Sequence, residues 1–483
     1  MHVAHDLARL DATEQASLIR RGECSPTEMV EAAIERIERI NPRLNAVIHT
    51  LYDKARAAAE SPDLPDGPFR GVPMLVKDLV CHTAGDPYHA GMRMLRDAGW
   101  TSDTDSYMAA KLRTAGFVII GKTNTPENGT TITTEPLAYG PTRNPWDLDY
   151  SVGGSSGGSG AAVAAGLTAV AEANDGGGSI RIPASECGLV GLKPSRGRIS
   201  LGPQAGDLWD GFTVEGTVTR TVRDTAALLD VASGYVAGDP YTAPPPLRPF
   251  AREVRASPGR LRIGILTHAP NSLVPVHPDC VRATEETGRL LEELGHVVEV
   301  SHPEAFDDPD LHHHFMVLVT SWAARDVAYW SEQTGRPIDE QGFEPLNLTL
   351  AAMGNTHSAA TYIESVCKMQ AITRRAAAWW ENGYDLLLTP TLAEPPPPIG
   401  EFDATEAEPD RPFTRPLAFA IFTSPFNITG LPAISLPLGW SEHGLPVGVQ
   451  LAGAYGREDL LIRIAAQLEA AAPWADRRPA VHA

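Results

Sequence analysis

The chain has 483 residues, 43% hydrophobic and 21% charged, the composition of an ordinary globular enzyme with a large core. Its formal net charge of −20 repels phosphate backbones and anionic lipid, so neither nucleic acid nor a membrane is expected as a partner. Five cysteines (Cys24, Cys81, Cys187, Cys280 and Cys367) are scattered without a C-x-x-C pair, which argues against a disulfide framework or a zinc ribbon and for a reducing cytoplasm.

The string MHVAHDLARLDATEQASLIRRG lacks the basic start and apolar segment of a secretory leader, and no apolar run is long enough to span a bilayer. CSPTEMVEAAIERIERINPRLNAVI predicts a helix. Ser25 is its N-cap, Pro26 takes the first helical position, and Glu28 can return a hydrogen bond to the cap. Met29, Ala33, Ile34, Ile37 and Ile40 recur on one face, and Asn41-Pro42 is expected to end the helix. GVPMLVKDLV predicts a short buried strand carrying Lys77 and Asp78. YMAAKLRTAGFVIIGKTNTPE reads as helix, glycine stop, strand and loop.

AAVAAGLTAVAEA predicts a tightly packing, almost uncharged helix, followed by the loop NDGGGSIRIPAS and by GLVGLKPSRGRIS. LRIGILTH, a helix from about residue 279 to 294 and HVVEV form a strand–helix–strand unit. YDLLLTPTL and AISLPLGW are further strands, and GREDLLIRIAAQLEAA is a terminal amphipathic helix. The proline-rich PPPLRP and EPPPPIG are expected as surface loops. Strands alternating with helices predict an α/β protein with one large domain over residues 1–483: a central mixed β-sheet flanked by helices on both faces. Residues 1–65 form its N-terminal helical segment and residues 415–475 a C-terminal part of its core.

Two glycine tracts carry the candidate chemistry. YSVGGSSGGSGAAVAAG admits a linker, a phosphate cradle or a nucleophile elbow. A linker would continue into polar residues, a phosphate loop would need a lysine, and an elbow would need a strand leading into the serine. None of these is present. In NDGGGSIR, Gly176, Gly177 and Gly178 precede Ser179 and let consecutive N–H groups converge, either as an oxyanion hole beside a nucleophile or as a tight turn before a helix. No histidine is well placed as a base. His312, His313 and His314 form a run expected to be exposed, and His443 and His482 lie in a polar turn and a tail. Lys77, in an apolar strand, can lose its charge and serve as a base, or else form an ion pair with Asp78.

Together, GVPMLVKD, GKTNTPE, TRNPWDLDYSVGGSSGGSGAAVAAG, NDGGGSIRIPAS and GLVGLKPSRGRIS resemble the amidase signature family of serine hydrolases, over a core of residues 25–200. The likeness returns at SPFNITGLPAISLPLG and GLPVGVQLAGAYGREDLLIRIAAQLE. The resemblance implies a triad: Ser179 as the acylated nucleophile, Ser155 as the serine after a cis peptide bond, and Lys77 as the base. It implies an oxyanion hole of Gly176, Gly177, Gly178 and the Ser179 N–H. Ser156, Asp175 and Arg181 match supporting positions. No metal or organic cofactor is implied, and a homodimer is.

TNTPEN stands where the family often has TNMPEF, so substrate choice does not transfer from any one member. Thr125, Asn128, Gly129 and Asn427 are expected around the pocket, with further walls from residues 204–212, from near Trp322 and from FTSPFN. TTEPLAYGPTRNPWDL and NGYDLLLTPT resemble the bacterial amidases that act on nylon oligomers, the 6-aminohexanoate cyclic-dimer type. The expected reaction is hydrolysis of small, largely apolar amides through an acyl-enzyme. Carbamates, anilides or esters on the same triad, a glutaminase-like amidotransferase subunit and an idle binding protein are the alternatives.

Overall fold

Eleven strands join in one mixed sheet: β1 (Val47–Thr50), β2 (Pro73–Lys77), β3 (Val118–Thr123), β4 (Val170–Asp175), β5 (Val190–Lys193), β6 (Val214–Thr219), β7 (Arg262–Ile265), β8 (Val297–Val300), β9 (Leu386–Pro390), β10 (Ala433–Trp440) and β11 (Pro446–Gly453). Their order is β1-β3-β2-β4-β6-β5-β10-β11-β9-β7-β8. β2 runs parallel to both β3 and β4, while β10 runs antiparallel to β5 and β11. The computed structural model describes residues 7–408 and 410–483.

Alternate residues of each strand enter opposite cores, as the two-residue repeat of a strand requires. Met74, Val76, Ile119, Val170, Ile434 and Leu436 pack on one face beneath the helices Val222–Ala232 and Glu458–Ala471. Leu75, Val118, Ile120 and Ala171 face the other side, under the helices Pro26–Leu44 and Gly157–Ala164. At the β9–β11 end that same side is covered by the helices Leu311–Thr334 and Ala359–Glu381. The expected architecture, a mixed sheet with helices on both faces, is the one observed.

The first helix starts as its sequence dictates, with Ser25 and Glu28 closing a reciprocal capping box. It does not stop at Asn41-Pro42. Pro42 lies in its last turn and removes only the hydrogen bond to the Glu38 carbonyl, and the helix ends when Asn45 turns left-handed (φ 53°). The alanine-rich run also departs from expectation. Gly166 (φ +75°) breaks it, and its second half becomes β4, a buried central strand. Alanine favours a helix by its intrinsic propensity, so here burial within the sheet overrides local preference. The histidine run opens the helix Leu311–Thr334, and of the three only His313 is exposed, His312 and His314 being half-buried. No helix among the described residues is long and apolar enough to cross a membrane.

Candidate active site

β2 ends on Lys77, fully buried between β3 and β4. Its Nζ donates to Ser155 Oγ at 2.7 Å and to Asn174 Oδ1 at 2.7 Å. Both acceptors are neutral, so the ammonium lacks the direct carboxylate contact that burial would ordinarily demand. Burial therefore lowers the lysine's pKa to about 7, with Glu172 and Asp175 pulling more weakly in the other direction. Asp78, the alternative partner, turns instead to Lys122 at 3.0 Å.

Ser155 follows a cis peptide bond from Gly154. No strand precedes it: residues 151–156 are loop, and a helix starts at Gly157. The tract is neither open nor flexible. A Cβ on Gly158 would lie 2.4 Å from the Asn124 nitrogen, so glycine is what lets this helix press on the loop after β3. Ser159 Oγ donates to the Glu172 carbonyl at 2.7 Å, and Ser156 Oγ bridges the N–H and carbonyl of Asn174 at 3.3 and 3.2 Å. Ser156 thus ties the Ser155 loop to the end of β4.

The second tract leaves β4 at Asp175. Arg181 holds this buried carboxylate through two bonds of 2.9 and 3.0 Å, and Ile180 N–H adds a third at 3.2 Å. Burial alone would raise Asp175, but Arg181, Lys193 and Asn427 outweigh it and hold the carboxyl down at about 2. The guanidinium continues to the Thr423 carbonyl, Gln450 and Asn427. Thr423 Oγ1 donates to the Gly177 carbonyl at 2.6 Å. These bonds fix the carbonyl side of the turn. Among the described residues, the N–H groups of Gly176, Gly177, Gly178 and Ser179 make no hydrogen bond within the protein. Four consecutive N–H groups without a partner are rare in a folded chain.

Ser179 is half-buried and sits where two cavities meet. The larger, about 410 Å³, also reaches Ser155, Asn128, Asp207 and Trp322. The smaller, about 110 Å³, is walled mainly by apolar side chains such as Ile132, Phe315, Leu350 and Leu417. Gly129 and Trp209 border both. No hydrogen bond between the Ser155 and Ser179 hydroxyls forms among the described residues.

Two pocket expectations need correction. Thr125 is fully buried, and its hydroxyl points to the Pro126 carbonyl, away from both cavities. Asn427 is also buried: it bonds Asp175 and Arg181 and braces the turn instead of facing substrate. Asn128, Gly129, the segment 204–209, Trp322 and Ser424 do line the cavities. Sequence reasoning missed Asn174, the second acceptor of Lys77, and Glu172, whose Oε2 accepts from the Lys77 N–H at 2.9 Å. Both occupy β4, where the sequence pattern predicts a helix and a loop, and the two-residue alternation leading into Asp175 is the signal that marks the strand.

Two clusters of side chains could offer three atoms to a metal, His49–Asp78–His89 and Cys81–Glu172–Glu215. In the first, the Lys122 ammonium already sits on Asp78. Neither cluster lines the cavities at Ser179.

The model of the amidase family matches residues 28–462. The 6-aminohexanoate-cyclic-dimer hydrolase of Pseudomonas sp. (strain NK87) is 45% identical over 97% of this chain and 96% of its own length. A solved structure of 6-aminohexanoate cyclic dimer hydrolase complexed with substrate superposes with a TM-score of 0.94 at 44% identity, covering 98% of this chain and 99% of that one. A bacterial aryl acylamidase of the amidase signature family gives 0.88 at 29% identity, over 96% and 97%. The chain belongs to the amidase family, enzymes that hydrolyse amide bonds.

Proposed function

We propose that the protein hydrolyses the cyclic dimer of 6-aminohexanoate and related small apolar amides, with Ser179 as nucleophile, Ser155 as proton relay and Lys77 as base. What carries this reading is one juxtaposition: half-exposed Ser179 lines the same cavity as Ser155, whose hydroxyl is held by buried Lys77, and Ser179 ends a run of four N–H groups that have no partner in the described protein.

The chemistry follows from that placement. Neutral Lys77 takes the proton of Ser155 as Ser155 takes that of Ser179, and Ser179 Oγ attacks the amide carbonyl. The free N–H groups of residues 176–179 receive the negative charge that develops on the carbonyl oxygen. Lys77, now an ammonium, returns its proton through Ser155 to the leaving nitrogen, and the C–N bond breaks. Water then attacks the acyl-enzyme by the same relay and frees Ser179. Asp175, Arg181, Asn427 and Ser156 hold the two loops in register and touch no reacting atom.

A cyclic diamide has no charged ends, which suits a site whose small chamber is apolar and whose larger one is rich in tryptophan. A panel of the cyclic dimer, a linear dimer, an anilide, a carbamate and an ester tests the substrate. The cyclic dimer is expected to give the highest kcat/KM, and its failure to react while the anilide or carbamate turns over would refute the assignment. Since the base must be neutral, kcat/KM is expected to reach half its plateau near pH 7 and to be flat above about pH 8. It should fall along one acid limb below, to about a tenth of its plateau at pH 6, as one group with a pKa of about 7 is protonated. The division into a signature core over residues 25–200 with N- and C-terminal parts, a homodimer and a cytoplasmic setting belong to the same proposal, on the strength of the family resemblance alone.

A further inference from the structure

Beneath Lys77 lies a buried group of carboxyls that the mechanism above does not use. In the antiparallel pairing of β4 with β6, Glu215 stands opposite Asn174, and Glu172 lies two residues before Asn174, so all three share one sheet face. Glu172 and Glu215 are both completely buried, and one oxygen of each lies within 4.8 Å of the other and of Cys81 Sγ. Glu172 Oε2 accepts from the Lys77 N–H. Glu172 Oε1 and both oxygens of Glu215 have no hydrogen-bond partner in the protein. Two ionised carboxylates cannot face each other closed off from water, whereas one shared proton makes the pair a donor and an acceptor.

Resting on Lys77 as the base, we propose that Glu172 and Glu215 form a carboxyl pair sharing one proton, whose single negative charge positions Lys77 and steadies the ammonium formed when it takes the proton of Ser155. Glu172 is faced by Lys77 from β2, Lys122 from β3, Cys81 and Glu215. Glu215 is faced by Glu172, Cys81 and Lys111 of the helix Tyr107–Thr114. Burial raises both carboxyls; Lys77 and Lys122 pull Glu172 back toward its ionised form, whereas the neighbouring Glu172 charge raises Glu215 further, which places the shared proton on Glu215. Burial lowers Lys77, and Glu172 is the largest force opposing it. The pair neither gains nor loses a proton during turnover. It acts on Lys77 as a fixed charge and an anchor for the strand end.

The test is the acid limb of kcat/KM in Glu172→Gln and Glu215→Gln. Glu172→Gln removes the charge, so the limb is expected to move down by about one pH unit, with kcat falling severalfold because the ammonium loses its counter-charge. Glu215→Gln keeps one charge on Glu172 and supplies an amide donor in place of the shared proton, so its limb is expected to stay with the wild type. A limb that Glu172→Gln leaves in place, or that Glu215→Gln shifts equally, would overturn the proposal. Infrared spectra of the folded proteins near pH 7 give a readout independent of activity: wild type minus Glu215→Gln should show the C=O band of a protonated carboxyl, and its absence would also overturn the pair. A wild-type profile with no limb near pH 7 would instead strike the assignment of Lys77 itself.

Discussion

Ser179→Ala is expected to lower kcat/KM by at least about 10⁴-fold toward any amide the enzyme accepts, because members of a nucleophilic triad act as a unit. Ser155 cannot replace it. Its hydroxyl is buried, held by Lys77, and at the edge of the cavity, whereas Ser179 lies at the junction of the two chambers and at the end of the free N–H run. The loss should be purely chemical. The Ser179 hydroxyl makes no side-chain hydrogen bond within the described protein, so its removal should change stability by no more than about 0.5 kcal/mol. Steady-state kinetics beside a thermal melt check both halves. Near-wild-type turnover, or a collapse of the melt, would contradict the account.

Lys77→Met is expected to cost about 10²–10⁴-fold, the range for a lost general base, while the fold persists. Methionine keeps most of the aliphatic stem in a site that is already fully buried. The partners left behind are Ser155 Oγ and Asn174 Oδ1, and an orphaned buried acceptor costs about 1–3 kcal/mol. Relief from holding an amine away from water offsets part of that cost. Lys77→Arg should be equally inactive, because a guanidinium stays charged and cannot accept the proton. The pair of variants therefore separates loss of a base from loss of a positive charge. Activity in Lys77→Arg at the wild-type level would remove proton acceptance from the mechanism.

The strands were legible wherever apolar residues formed short, bounded runs, as in GVPMLVKDLV and YDLLLTPTL, because burial on both faces leaves no other use for such a run. Lys77 stood out for the same reason, a lone charge inside one of these runs. The capping box at Ser25 was legible because it is entirely local. What failed was what depends on distant partners. Asn427 lies 252 residues from Asp175 in sequence, and nothing in FTSPFN says that its amide faces a buried carboxylate instead of a substrate. Thr125 is adjacent to a loop that does reach the cavity, but side-chain direction in an irregular segment follows no period. The split of the alanine-rich run turned on Gly166, whose left-handed backbone is invisible in a string with many glycines. Glu215 could not be connected with Lys77 until the β4–β6 register placed it opposite Asn174.

Labelling with a fluorophosphonate probe, followed by peptide mass spectrometry, tests the central claim most directly, since the adduct marks the attacking oxygen. The account predicts a single adduct on Ser179, formed above pH 7, and absent from Ser179→Ala and Lys77→Met. An adduct on Ser155, or labelling that survives in Ser179→Ala, would contradict it.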